Sequence, residues 1–400
     1  MSGQEWMARC DKVVMGTYAR WPVVFIRGEG VYLWDIEGRR YLDFLAGIAV
    51  CNLGHAHPKV AQAVADQACR LVHTSNLYYT QPMIELAERL IGACFADRVF
   101  FCNSGAEANE GAIKLTRKYY KVKGQPGRYK IITTEGSFHG RTMATLTATG
   151  QAKIKDGFDP LLNGFDHVPF GDLTALEAMV DDKTAAVMLE PVLGEGGVVL
   201  PQKGYLEGVR ELCQERGLLL IFDEIQTGLG RTGSFFAHQA EGVEPDIMTL
   251  AKGLANGLPM GALLATEEAA QAFTLGSHGS TFGGGPVVAA AATAVFDELT
   301  KEGFLTRVEA TGRHFLSRLQ ALVEKHPVAA EARGRGLMMA LVLNRPGAEA
   351  AQECFERGFI INCTQETILR FLPPLIVTET QIDELIQVLD EILDKLDKEP

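Results

Sequence analysis

Four hundred residues, 47% of them hydrophobic and 22% charged, exceed what a single hydrophobic core supports, so two or more domains of an ordinary globular enzyme are expected. A formal net charge of −12, with no run of lysine and arginine to relieve it, argues against nucleic acid or an anionic membrane as a partner. Eight cysteines without a C-x-x-C pair read as reduced, mostly buried thiols and not as a disulfide framework.

The first residues, Met1-Ser2-Gly3-Gln4-Glu5, lack a basic segment followed by an apolar one, and Glu5 and Asp11 speak against an organelle-targeting helix, so a cytoplasmic location is expected. Residues 27–44 alternate in polarity and carry the turn signals Glu29-Gly30 and Glu37-Gly38, which predicts a small hairpin or meander. His55 and His57 have no third ligand at a metal-binding spacing, so no metal is expected there. From about 60 to 270, apolar runs alternate with helical patterns, the signature of an α/β fold with a mainly parallel sheet between helices. Strands are expected over 98–102, 129–133, 185–189, 218–222, 246–250 and 261–265. Beyond the glycine-rich stretch 276–285, Pro286 suits the first position of a long Ala-rich helix. Near the end, Thr378-x-x-Gln381 has the form of a capping box, and Ile382, Leu385, Ile386, Leu389, Leu393 and Leu396 recur on one helical face, which is packing without chemistry.

In an open parallel sheet a ligand lies beyond the carboxyl ends of the strands, so the residues that follow each run are the ones to inspect. Asn103-Ser104-Gly105-Ala106 ends the first run and opens a helical stretch over 107–121, placing N–H groups where a phosphate can be held. Phe138-His139-Gly140-Arg141 follows the second and offers a ring to stack on a planar group and a guanidinium to grip a carboxylate. Glu190-Pro191 ends the third and leads to Gly194-Glu195-Gly196-Gly197, which reads as a flexible loop with one carboxylate among three glycines. Asp223-Glu224-Ile225-Gln226 ends the fourth run, and Lys252 ends the fifth, about thirty residues later, as one βαβ unit would place it.

Taken alone, Asp223 and Lys252 leave two readings open. An Asp-Glu pair after a strand also suits a magnesium site in a nucleotide-binding protein. A buried lysine, however, becomes a neutral amine that condenses with an aldehyde, and a nearby carboxylate holds a ring nitrogen protonated, a pairing that suggests pyridoxal phosphate. Gly228-Leu229-Gly230-Arg231-Thr232-Gly233 matches the dinucleotide pattern G-x-G-x-x-G, but Asp223 to Thr227 separate it from the strand and no convincing helix follows, which disfavours a nicotinamide oxidoreductase.

Motifs along almost the whole chain resemble those of the class III (subgroup II, fold type I) aminotransferases. They include Gly54-His55-Ala56-His57-Pro58, Asn103-Ser104-Gly105-Ala106-Glu107-Ala108-Asn109-Glu110, Phe138-His139-Gly140-Arg141-Thr142, Gly194-Glu195-Gly196-Gly197, Asp223-Glu224-Ile225-Gln226-Thr227-Gly228, Ala251-Lys252-Gly253, Gly279-Ser280-Thr281-Phe282 and Leu369-Arg370-Phe371. The resemblance implies a large domain over 61–285, built on a mainly parallel seven-stranded sheet between helices. It also implies a smaller α+β domain drawn from both termini, with 1–60 supplying an N-terminal part and substrate loop and 286–400 the C-terminal part.

The resemblance further implies pyridoxal 5'-phosphate as cofactor, with Lys252 carrying it and moving the proton, and Asp223 paired to the ring nitrogen. Gln226 is expected at the phenolic oxygen, Phe138 on the ring, His139 and Glu190 beside the cofactor, and Ser104, Gly105 and Ala106 around the phosphate. Thr281 is expected to reach the phosphate in the neighbouring subunit, so a homodimer with shared sites is implied. Arg141 and Arg370 match binders of substrate carboxylates, Ser280 lies with the substrate, and Glu195 matches the residue that neutralises Arg370. The implied substrates are small molecules: acetylornithine as the amino donor, and 2-oxoglutarate and glutamate as the other pair. Gly47-Ile48, where ornithine-using relatives carry an aromatic residue, and Gly196, where they carry Ala, favour the acetylated donor. Ornithine, succinylornithine, succinyl-diaminopimelate and 4-aminobutyrate stay open as alternatives.

Overall fold

The computed structural model describes residues 1–398. Fifteen strands occur in chain order: β1 Phe25–Glu29, β2 Tyr32–Asp35, β3 Arg40–Asp43, β4 Arg98–Cys102, β5 Lys130–Thr134, β6 Phe165–Val168, β7 Thr184–Leu189, β8 Leu219–Asp223, β9 Ile247–Leu250, β10 Gly261–Ala265, β11 Ala329–Arg335, β12 Met338–Leu343, β13 Phe359–Ile360, β14 Asn362–Thr364 and β15 Ile368–Phe371.

Seven of them form the central sheet in the order β4-β10-β9-β8-β7-β5-β6. Pairing is parallel from β6 through β5, β7 and β8 to β9, while β10 runs antiparallel to both β9 and β4. Every residue of β7, β8, β9 and β10 is buried, as continuous apolar runs require when helices cover both faces. The expected strands are present with shifts of one residue at some ends. β6 is an addition to them: it is an edge strand of sequence Phe-Asp-His-Val, too polar to stand out as a buried run.

The meander expected over 27–44 is β1-β2-β3, and β13 joins it in parallel, so a late segment of the chain completes an early sheet. A third sheet, β11-β12-β15-β14, is wholly antiparallel. Pro286 opens the helix Pro286–Leu299 and Thr378 caps the helix Glu379–Leu396 through a capping box with Gln381. All six apolar residues expected on its inner face are buried.

All eight cysteines are free. Cys102, Cys213 and Cys354 are buried, Cys69 is exposed and the rest lie between, so fewer are interior than their apolar character suggested. Among the described residues no helix is long and apolar enough to cross a membrane, and no cluster of His, Cys, Asp and Glu could hold a metal ion. His55 instead contacts Asp43 at 2.7 Å.

Candidate active site

β4, β5, β7, β8 and β9 deliver their carboxyl ends to one edge of the sheet, and a cavity of about 390 Å³ opens there. Its wall contains Ser104, Gly105, Ala106, Phe138, His139, Arg141, Glu190, Glu195, Asp223, Gln226 and Lys252. A larger polar cleft of about 890 Å³ beside Glu207, Arg210 and Asp246 lies at the opposite end of β9 and contains none of them.

Lys252, separated from the end of β9 by Ala251, begins a tight turn at φ +41°, a left-handed conformation that a lysine keeps only where the surroundings impose it. The next residue must be glycine, because a Cβ on Gly253 would stand 2.4 Å from Asn52 Nδ2. Part of the lysine surface faces the cavity, yet the amine lies deep in the protein. Burial lowers its pKa below the ordinary lysine range, against the opposing pull of Glu195, Glu190 and Asp223.

Asp223, the last residue of β8, is 2% exposed. Its Oδ2 accepts from Asn109 Nδ2 at 2.7 Å and faces His139 Nδ1 at 2.7 Å, and its Oδ1 accepts the Ile225 N–H at 3.1 Å. Asn109 also accepts from Thr249 Oγ1 at 2.7 Å and donates to the His139 carbonyl at 2.8 Å. Asn109 and Thr249 thus orient the carboxylate, a role not singled out in the sequence. The available signal was a polar residue on the inward face of a helix, and it identifies no partner.

Ser104 caps the helix Gly105–Val122, its Oγ accepting the Glu107 N–H at 3.2 Å. The N–H groups of Gly105 and Ala106 precede the first intrahelical bond and carry the positive end of the helix dipole. Glu190 accepts the Phe138 N–H at 2.9 Å and the Gly194 N–H at 3.1 Å, and burial pushes its pKa up to about 7. The Arg141 guanidinium is 5.7 Å from the centre of the Phe138 ring.

Arg370 on β15 is 1% exposed and does not line the cavity, because Glu195 stands in front of it. The Glu195 carboxylate meets Arg370 Nη1 at 2.6 Å and accepts from Gln226 Nε2 at 3.3 Å. Burial alone would raise the Glu195 pKa, but Arg370 and Lys252 together hold it below the usual carboxylate range. Asn362, the cross-strand neighbour of Arg370, accepts from Arg370 Nε at 3.2 Å and likewise carries no signal in the sequence.

Segment 194–197 is closely packed: a Cβ on Gly194 would lie 2.1 Å from Gln226 Oε1, and one on Gly197, which also stands at φ +102°, would lie 2.4 Å from Ile368 Cδ1. Ser280 and Thr281 are outside the cavity, in a neighbouring recess with Asn103, Glu107 and Phe282, and Thr281 is exposed. Asn103 alone joins the two spaces, donating to Ser280 Oγ at 3.2 Å. The G-x-G-x-x-G segment is a structural junction in which fully buried Arg231 donates to the carbonyls of Leu337 and Pro373 and to Asn52 Oδ1.

A backbone feature invisible in the sequence completes the rim. Ala46, Gly47, Ile48 and Ala49 all have φ between +50° and +66°, a left-handed turn that sets Val50 on the cavity wall.

The donor set fits a flat, phosphorylated aldehyde. A buried amine, an anchored carboxylate, an aromatic ring, a helix N-terminus and the Gln226 amide line one volume of suitable size. The sequence profile of the aminotransferase class-III family matches residues 15–393. The acetylornithine aminotransferase of Methanocaldococcus jannaschii is 50% identical over the full length of both chains. That of Caldanaerobacter subterraneus subsp. tengcongensis is 51% identical over 96% of this chain and 98% of its own. The crystal structure of ornithine aminotransferase from Toxoplasma gondii superposes with a TM-score of 0.95 at 34% identity, covering 100% of this chain and 97% of that one. With a buried lysine and its carboxylate at the strand ends and a match of this extent, the chain belongs to the class-III aminotransferases, enzymes that work with pyridoxal 5'-phosphate.

Proposed function

We propose that this enzyme transfers the δ-amine of N2-acetyl-L-ornithine to 2-oxoglutarate, giving N-acetyl-L-glutamate 5-semialdehyde and L-glutamate, a step of arginine biosynthesis. The names of relatives near 50% identity support this reading. The observation that carries it is the pairing of Glu195 with the buried Arg370 beside Lys252. Glutamate brings two carboxylates and needs two arginines, whereas an ω-amine donor presents an ammonium-bearing end that an unpaired guanidinium repels. A carboxylate that covers one arginine and swings away from it serves both substrates.

When bound, the cofactor would supply an electron-withdrawing ring that accepts the negative charge developing at the substrate carbon as its proton leaves. Lys252 Nζ, whose pKa burial lowers, would take that proton and return it. Asp223, oriented by Asn109 and His139, would hold the ring nitrogen protonated, and Gln226 would donate to the phenolic oxygen. Phe138 would stack on the ring face, with Glu190 fixing the Phe138 and Gly194 backbones, and the N–H groups of Gly105 and Ala106 with Ser104 would hold the phosphate. Arg141 takes the α-carboxylate of acetylornithine or the γ-carboxylate of glutamate, and Arg370 takes the α-carboxylate of glutamate once Glu195 has turned.

The enzyme works as a cytoplasmic homodimer in which the partner's Thr281 closes the phosphate site and Ser280 lies at the substrate entrance. This is supported by Leu77, Tyr79, Leu275 and Phe282, which are 85%, 93%, 105% and 64% exposed. Asn76 ties their two segments together through the carbonyls of Ser280 and Gly283. Single-turnover rates with acetylornithine, ornithine, succinylornithine and 4-aminobutyrate test the donor. Acetylornithine is expected to react fastest at limiting concentration, and a faster reaction with any of the others would replace it.

A further inference from the structure

The gate at Glu195 has a feature that the pairing with Arg370 does not explain. The carbonyl of Glu195 accepts from Thr364 Oγ1 at 3.1 Å and from Gln365 Nε2 at 2.9 Å. On one side of it, Gly194 is held through its N–H by Glu190 at 3.1 Å and through its carbonyl by Arg370 at 3.2 Å. On the other, Arg333 donates to the carbonyls of Gly197 and Val198 at 2.9 and 3.0 Å. The backbone that carries the gate is therefore held by side chains on both sides. The carboxylate itself has only Arg370 and Gln226 as partners, and 26% of the side chain is exposed.

Thr364 ends β14 and Gln365 opens the turn that joins it to β15, the strand of Arg370. In that turn Gln365 and Glu366 both adopt left-handed backbone, at φ +48° and +63°. Two successive non-glycine residues in this region are kept only where other contacts over-determine them. The turn carries the Gln365 amide that meets the Glu195 carbonyl, so one hairpin bears both Arg370 and the contacts to the backbone of its counter-charge.

We infer that Thr364 and Gln365 are positioning residues that fix the pivot of the Glu195 side chain and thereby divide the enzyme's rate between its two half-reactions. The inference rests on the gating reading above. With the carbonyl fixed, switching is a rotation about side-chain torsions alone. With the carbonyl released, the loop gains backbone freedom that must be frozen again each time Glu195 pairs with Arg370, whereas the unpaired state loses nothing. Releasing the pivot therefore penalises the amine donor, which needs the paired state, and spares glutamate.

The test uses the holoenzyme with Thr364→Val and Gln365→Ala, separately and together, read as single-turnover rates of each half-reaction. The double variant is expected to slow the acetylornithine half about three- to tenfold, the loss for one to two neutral hydrogen bonds, and to leave the glutamate half within about twofold. Thr364→Ser keeps the hydroxyl and is expected to retain the wild-type ratio. In a Glu195→Ala background the same substitutions are expected to leave the ratio where that single variant puts it, because they act through the missing carboxylate. Equal slowing of both halves, or an undiminished effect in the Glu195→Ala background, would overturn the inference. A Glu195→Ala enzyme with the wild-type ratio would overturn the gating reading itself, whereas a shifted ratio there combined with no effect of Thr364→Val and Gln365→Ala removes the pivot alone.

Discussion

Asp223→Asn isolates charge from shape at the centre of the site. The carboxylate is 2% exposed, with Asn109 Nδ2 and His139 Nδ1 both at 2.7 Å from Oδ2 and the Ile225 N–H at 3.1 Å from Oδ1. An amide that keeps its oxygen at the Oδ2 position satisfies Asn109 and His139 and turns its NH2 toward the Ile225 N–H, so the fold loses about one hydrogen bond, roughly 1 kcal/mol. The reaction loses much more, because a neutral amide cannot hold the ring nitrogen protonated while charge develops. Removing one preorganised group that stabilises developing charge costs on the order of 10²–10³ in kcat, about 2.7–4 kcal/mol. The chemical effect therefore exceeds the structural one by about 2 kcal/mol or more, which separates the two. Steady-state kcat with acetylornithine and 2-oxoglutarate, beside the thermal midpoint and the visible absorbance of bound cofactor, reads both effects. An Asp223→Asn enzyme that binds cofactor and keeps kcat within a few-fold of wild type would refute the assignment.

Lys252→Ala is expected to abolish covalent attachment of the cofactor and transamination together, and a borohydride-reduced peptide labelled at any other lysine would contradict the role given to it. Burial pushes the Glu190 pKa up to about 7 from 4.5 for a free side chain, with Asp223 adding to the rise against the opposing pull of His139. The folded state then binds the extra proton between those values, so stability falls as pH rises through this window, by up to about 3 kcal/mol, since each pH step of one between the two values is worth about 1.4 kcal/mol. Denaturant midpoints from pH 4.5 to 8 are expected to show that decline in the wild type and to lose it in Glu190→Gln, and parallel profiles would count against the assignment. If Thr281 completes the partner's phosphate site, mixing inactive Lys252→Ala chains with inactive Thr281→Ala chains is expected to restore about a quarter of the wild-type sites under random pairing, since one of the two sites in each hybrid is intact. Activity in a solution of monomers would exclude that arrangement.

The central layer and its reactive edge were legible in the sequence because both are local properties. Runs such as Leu218-Leu219-Leu220-Ile221-Phe222 are apolar on successive residues, which only a strand buried on both faces requires, and the polar residues that follow them stand at the strand ends by continuity of the chain. Lys252, Asp223, Glu195 and Arg141 could be singled out on that ground, and all of them line one cavity. The reversed direction of β10 could not, since Gly-Ala-Leu-Leu-Ala is as apolar in either orientation. Residues that act through a partner were equally hidden. Asn362 meets Arg370 only through the β14–β15 register, Asn109 meets Asp223 across more than a hundred residues, and Arg333 reaches the Glu195 loop from a different sheet. Gly194 to Gly197 show the same limit from the other side: a sequence displays glycine as conformational freedom, and only the packed structure reveals that the missing Cβ is space already filled by Gln226 and Ile368. Burial and turn preference are set by neighbours along the chain, whereas a hydrogen-bond partner is set by sheet register and by which surfaces close on each other, and these are decided only when the tertiary structure forms.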